Sequence, residues 1–441
     1  MEEEENEQGQ KSFSSSLPSR IWKIGALTTG VSRNIIAGKI KDTFSRGDNK
    51  SSSPVIPAQV AQKIVKVMGE LKGPWMKIGQ YMSLYDTYDD EAFFEAFSTL
   101  QYESPSMSYY FTKMQIQKEL GKDPEAIYKS FSRKPIGAAS IGQVHVAYLQ
   151  SGEKVAVKVQ YPDMDKIIKS DLTTLKISLT PLKMFYKGKI SPIIEEVESV
   201  LIDELDYEKE ANNLDKFREF YKDNPDIIIP EYYKEFSTKK VLTMKFLEGQ
   251  PFEQAIKDNN LSLEQRNNIG KIMLHSLWRQ LFELNTVHAD PHPGNFLLID
   301  NEKLGMLDFG CVKVFKKSFM DQYKSLIKSV VTKDSQGIRK AYIDLGFVEE
   351  HETDKLDALE EFSYFMAEPY LDKEVEFDLG KNLHKLKEGQ VEFKKMSDKV
   401  GFRLPKEFIY LNRTLIGVGM ILFKLRVSIN FYKEMEPYIF D

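Results

Sequence analysis

Among 441 residues there is a single cysteine, Cys311. One thiol forms neither an internal disulfide nor a multi-thiolate zinc site, so a reducing compartment is expected. Long apolar runs are also missing. The longest near the C-terminus, Leu415 to Phe423, is stopped by Lys424 and Arg426. It falls well short of the ~20 residues that span a bilayer, and no transmembrane helix is expected. The opening MEEEENEQGQ has neither the positive n-region nor the apolar core of a secretory signal, and its acids do not suit a transit peptide. The expected location is cytoplasmic. A net charge of -5 gives no general affinity for nucleic acid. No fixed-period repeat runs through the chain.

What is present is ordinary for a soluble globular protein, with 41% hydrophobic and 29% charged residues. The length allows two or three domain-sized units. Residues 1–19 are acidic, Ser-rich and without periodicity, which predicts a disordered tail. Residues 20–130 read as a helical extension. In it, Ile21, Ile24, Leu27, Val31, Ile35 and Ile40 recur at helical spacing beside Arg20, Lys23, Arg33, Lys39 and Lys41. Such a stretch either packs on the protein or makes weak peripheral contact with an anionic membrane. SRGDNKSSSP, Ser45 to Pro54, is a linker by composition. A later helix, opened near Pro74, contains WMKIGQYMSL.

From residue 131 to 247 the pattern is strand-rich. SIGQVHVAYL and KVAVKVQY flank Ser151-Gly152 as a hairpin, a helical run follows, and IIIPEYY and KKVLTMKFLEG read as two more strands. Residues 248–441 are mainly helical, interrupted by VHADPHPGNFLLIDNEKLGMLDFG. Segregated strand-rich and helix-rich parts predict an α+β fold of two lobes.

The chemistry-bearing residues fall in this order. PIGAASIGQVH places Gly137, Ala139, Gly142 and Val144 at the spacing of a kinase glycine loop, G-x-G-x-x-G-x-V, with alanine in the middle position. Glycines let backbone N–H groups of Gly137, Ala138, Ala139 and Ser140 close on phosphate, and the Ala139 methyl restricts that wrapping. A plain hairpin turn is the alternative. Lys158, in VAVK, is expected on a buried strand with an anionic partner, against the alternative of a solvated edge lysine. In IDELDYEKEANN, Asp206 and Glu210 are i,i+4 neighbours that could share an inward face. Glu210 is assigned to Lys158, and Glu204 and Asp206 to another task. Asp290, Asn295 and Asp308, in HADPHPGN and LDFG, have the order and spacing of a kinase catalytic loop and metal ligands. Asp290 would position the nucleophile, while Asn295 and Asp308 would bind Mg2+. His288 would anchor the loop. The hinge is expected around Met244 to Leu247, including Phe246, with adenine held by backbone groups. Two kinase features are missing. No A-P-E follows Asp308-Phe309-Gly310, and Ala289 replaces the arginine of H-R-D. Both argue against a regulated protein kinase.

Together KGPWMKIGQ, GAASIGQVH, VAVKVQ, ELDYEKEANN, HADPHPGNF and LDFG closely resemble the UbiB family of atypical kinase-like proteins, the aarF-domain kinases of ubiquinone biology. The resemblance runs from about Arg20 to the C-terminus. It implies a kinase-like fold whose K-x-G-Q helix, carrying Lys77 and Gln80, covers the active site. It further implies that Lys77 reaches Glu204 and Asp206. The alanine-rich loop is implied to disfavour transfer to protein and to tilt nucleotide preference. Without the resemblance, Lys77 and Gln80 read as an ordinary polar helix face. The chain departs from the family at Gly137, where an alanine is usual, at Lys245, where an acid is frequent, and in having no transmembrane anchor. The resulting expectation is ATP (or ADP) and Mg2+ binding, with ATP hydrolysis or phosphoryl transfer to a small molecule or lipid in quinone or other lipid metabolism. The alternatives are a small-molecule kinase of the aminoglycoside or choline kinase type and a nucleotide-dependent scaffold or lipid-binding module.

Overall fold

The computed structural model describes residues 107–139, 141–178, 201–258, 260–385 and 405–440, with scattered positions between. The expectations for the acidic tail, the basic stretch and the helix with Lys77 and Gln80 lie outside the described residues, as does Ser140. The chain divides into two units, Met1–Ala211 with Tyr232–Phe246, and Asn212–Glu231 with Leu247–Asp441.

In the first unit, helix α1 (Tyr109–Leu120) precedes strands β1 (Ser130–Phe131), β2 (Gly137–Ala138), β3 (Gly142–Tyr148) and β4 (Lys154–Gln160), then α2 (Met164–Ser178) and α3 (Tyr207–Tyr221). After β5 (Ile227–Ile228), which belongs to the second unit, the chain returns as β6 (Val241–Lys245). The antiparallel sheet has the order β1-β3-β4-β6, and β2 also pairs with β3. β4 is therefore an interior strand. Its alternation explains its sequence: Val155, Val157 and Val159 are buried in a core with Ile116, Tyr128, Ala147, Leu149 and Val241. Burying each valine stabilises the fold by about 1.5–3 kcal/mol. The period of two then puts Lys154, Ala156 and Lys158 on the opposite face.

The second unit continues through β7 (Gln250–Pro251), α4 (Phe252–Asp258), α5 (Leu263–Phe282), β8 (Thr286–His288), β9 (Phe296–Ile299), β10 (Lys303–Met306) and β11 (Val312–Val314). Helices α6 (Lys317–Val331), α7 (Ser335–Asp344), α8 (Thr353–Ala367), α9 (Lys406–Leu425) and α10 (Phe431–Ile439) follow. A small sheet runs β5-β10-β9-β7, and β8 pairs with β11. α5 begins with a capping box: Ser262 Oγ accepts from Gln265 N–H, and the Gln265 side chain accepts from Ser262 N–H, an arrangement that stabilises by about 1 kcal/mol. The middle of α5 is buried, including Ile269, Met273, Leu277 and Leu281. This helix packs against β8 and β10.

The apolar run Leu415 to Phe423 lies within α9, where Val418, Ile421 and Leu422 are buried. No helix among the described residues is long and apolar enough to cross a membrane.

Candidate functional site

Lys158 lies opposite Val144 on β3 and Leu242 on β6. Its Nζ donates to both carboxylate oxygens of Glu210, at 2.7 and 2.9 Å. The two residues are only 7% and 3% exposed. An ammonium on an interior strand is tolerated because a carboxylate meets it with short charge-assisted bonds. The Tyr207 ring lies 5.0 Å below the same ammonium.

Asp206 behaves differently from Glu210. It precedes α3, and its Oδ1 accepts from the N–H groups of Glu208 and Lys209 at 3.1 Å. It is the N-cap of the helix rather than a partner on Glu210's face, because the open first turn offers donors that a short carboxylate reaches. Glu204, in the turn before it, is buried.

The alanine-rich segment is the tip of a hairpin. Gly137 pairs with Val144 and Ala138 with Gln143, and Ala139 N–H donates to the Gly142 carbonyl at 2.8 Å. The segment is therefore both hairpin turn and loop. Gly142 is the position that demands glycine. A Cβ there would stand 2.5 Å from the Val159 carbonyl oxygen and 2.7 Å from the Tyr207 hydroxyl. Met244 is buried on β6 opposite Ala156, and Phe246 N–H donates to the Lys154 carbonyl. The boundary of the first unit falls directly after Phe246.

In the second unit, Asp290, Asn295 and Asp308 come together around β8 and β9. Asn295 Nδ2 donates to the Asp290 carbonyl at 2.9 Å, and Leu307 N–H donates to the Asn295 carbonyl at 3.0 Å. Asp308 Oδ1 accepts from Gly310 N–H at 2.9 Å. His288 is buried, with Nε2 at 2.5 Å from the Asp308 carbonyl, so it fixes the turn that carries Asp308. Phe309 is fully buried against Phe217 and His288.

Sequence reasoning missed several residues of this cluster. Arg413 on α9 donates from its guanidinium to Asp290 Oδ1 at 2.5 Å. It is 8% exposed. Burial lowers its pKa to about 9, which leaves it charged at neutral pH. Asn213, one turn after Glu210 on α3, donates to the Phe309 carbonyl at 3.0 Å. Gln280 on α5 accepts from His288 N–H at 2.8 Å.

Comparison with known proteins decides the family. The model of the ABC1 atypical kinase-like domain matches residues 99–342, more than half of the chain. The chain belongs to the ABC1 atypical kinase-like family. The expectation of a UbiB-type atypical kinase-like protein with an α+β kinase-like fold holds. The Saccharomyces cerevisiae protein named atypical kinase COQ8, mitochondrial, is 28% identical over 96% of this chain and 86% of its own length. The Caenorhabditis elegans atypical kinase coq-8, mitochondrial, is 28% identical over 98% of this chain, which spans 59% of that longer protein. A Mycobacterium tuberculosis protein solved in complex with erythromycin has a TM-score of 0.62 and 27% identity, covering 86% of this chain and 96% of that one.

An ABC1-type site implies a nucleotide and Mg2+, and the residues present fit both. Asn295 commits its NH2 to the Asp290 carbonyl, and its amide oxygen and the Asp308 carboxylate are hard-oxygen donors of the kind Mg2+ takes when phosphates and water complete its shell. Among the described residues no group of three or more His, Cys, Asp or Glu could hold a metal.

The Asp290 loop of this ABC1 chain also leans on a glycine. A Cβ at Gly417, one turn after Arg413 on α9, would stand 2.4 Å from Pro291 Cγ, whereas nothing lies within 4 Å of one at Gly419. Gly417→Ala is therefore expected to push Pro291 and Asp290 aside and destabilise by about 1–3 kcal/mol. Gly419→Ala should stabilise by up to about 1 kcal/mol through helix propensity. Thermal melts of the two variants check the opposite signs.

Proposed function

We propose that this chain binds ATP or ADP with Mg2+ and hydrolyses ATP or transfers its terminal phosphoryl group to a small molecule or lipid. The observation that carries this reading is the buried Lys158–Glu210 pair: an ammonium fixed on an interior strand by a carboxylate is a ready-made phosphate ligand. Lys158 orients the phosphates, and Glu210 keeps its ammonium in place. Asn295 and Asp308 hold the metal ion, which when bound neutralises phosphate charge. Asp290 positions the attacking hydroxyl or water, and Arg413 restrains that carboxylate through its bond to Oδ1. Ala139 limits how closely the loop backbone wraps the phosphates, and backbone groups near Met244 and Phe246 take the base. Lys77, Gln80, Glu204 and Asp206 remain in this reading as the cover of the site, on the ground of the UbiB resemblance. The same resemblance supports the link to quinone or other lipid metabolism, with contact to anionic lipid through the basic stretch from Arg20 to Phe44.

Protein is a poor acceptor in this reading. β11 pairs with β8 immediately after Gly310, and α6 begins at Lys317. Between Gly310 and Lys317 that leaves no long segment on which an extended peptide could lie.

The test is Mg2+-dependent thermal stabilisation. A ligand at 100 times its Kd adds about 2.7 kcal/mol, and Asp308→Asn is expected to abolish that gain for both nucleotides. An equal shift in the variant would remove Asp308 from the metal site. ATP hydrolysis assayed with liposomes and quinone headgroup analogues then separates the acceptors.

A further inference from the structure

One face of β3 has no role in the chemistry above. Gly142 and Val144 lie on one side of the strand, Gln143 and His145 on the other, and both of the latter are fully buried. An amide and an imidazole in such surroundings are costly unless they are hydrogen-bonded. Gln143 Oε1 accepts from Met107 N–H at 2.8 Å. Its Nε2 stands 3.2 Å from the Met107 carbonyl, 2.9 Å from Thr112 Oγ1 and 2.9 Å from His145 Nε2. The amide nitrogen can only donate, so His145 Nε2 accepts. Its Nδ1 then carries the proton and donates to the Ser132 carbonyl at 2.7 Å. Burial lowers the His145 pKa from its ordinary 6.5, which keeps the ring in the neutral form this bonding requires.

Two features make the arrangement more than core packing. Gln143 grips Met107 by both N–H and C=O, as a strand partner would, so it fixes backbone and not merely a side chain. It is also the residue paired with Ala138 in the β2–β3 ladder, next to the loop tip at Ala139. A shift of the backbone at Met107 therefore reaches the loop through one side chain and one ladder pair. Because every polar atom of the network is shared among neighbours, the network is either made or broken, with little room between.

We propose that Gln143 is a positioning residue for the alanine-rich loop, tying the loop's phosphate contacts to the backbone at Met107. The proposal rests on the nucleotide-binding reading above.

The experiment measures Kd for Mg-ATP and Mg-ADP in wild type, Gln143→Leu and Gln143→Glu, the latter keeping an acceptor for Met107 N–H. In parallel, hydrogen exchange of wild-type peptides covering Met107 and Ala139 is followed with and without Mg-ADP. A purely structural glutamine would lower the melting temperature and weaken both nucleotides alike. Positioning predicts that the ATP-to-ADP affinity ratio changes by about threefold or more in a variant that still melts cooperatively, and that Mg-ADP slows exchange at Met107 as well as at Ala139. An unchanged ratio in a folded variant overturns the proposal. If neither variant folds, protection by Mg-ADP at Ala139 without protection at Met107 overturns it. Wild-type protein that binds neither nucleotide overturns the proposed function and this inference with it, which distinguishes that failure from the other two.

Discussion

Lys158→Met is expected to destabilise the protein by about 3–5 kcal/mol, because it leaves the Glu210 carboxylate buried without its cation. Glu210→Leu should cost a similar amount by stranding the ammonium. The double variant, Lys158→Met with Glu210→Leu, should recover most of that loss, since an apolar pair of similar volume is often as stable as a buried ion pair. Nucleotide binding should not recover, because no ammonium remains to meet phosphate. Chemical denaturation and nucleotide titration of the three variants separate the two roles. Recovery of nucleotide affinity in the double variant would show that Lys158 is structural alone.

Arg413→Lys is expected to raise turnover several-fold while lowering stability by about 1 kcal/mol. Asp290 Oδ1 bonds the guanidinium at 2.5 Å, and Asn295 Nδ2 stands 3.5 Å from Oδ2. A carboxylate that spends one oxygen on a buried guanidinium turns less readily toward an attacking hydroxyl or water, and geometry comes first for such a group. A lysine in place of the planar fork keeps the charge and relaxes the contact. Steady-state kcat and KM, with a melting curve, provide the check. A fall in kcat would mean that Arg413 serves by orienting Asp290, and the restraint argument would fail.

The hairpin of β3 and β4, Lys158 with Glu210, and the Asp290–Asn295–Asp308 spacing were all legible in the sequence, because each follows from a local period or a short motif. Arg413 was not. It lies 123 residues from Asp290, in a helix whose apolar run drew attention only as a membrane question, and no local pattern announces so distant a contact. Asn213 sits in the same run of letters as Glu210, yet its bond to the Phe309 carbonyl depends on tertiary packing. The sequence reading sets Asp206 apart from the Lys158 pair, yet the i,i+4 spacing that lets it share a face with Glu210 gives no sign that it caps the open first turn of α3. Gln143 and His145 alternate correctly for a strand, but nothing in the alternation says that a buried face will be polar.

The short connection after Gly310 has a consequence for control. A protein kinase that is switched by phosphate on a long loop keeps a record of past events until a phosphatase erases it. Here the chain passes from Gly310 through β11 directly into α6, and that stretch has no room for such a record. A lasting phosphate mark on that connection is therefore not expected, and any control exerted through it should follow what is bound at the moment and lapse when it leaves.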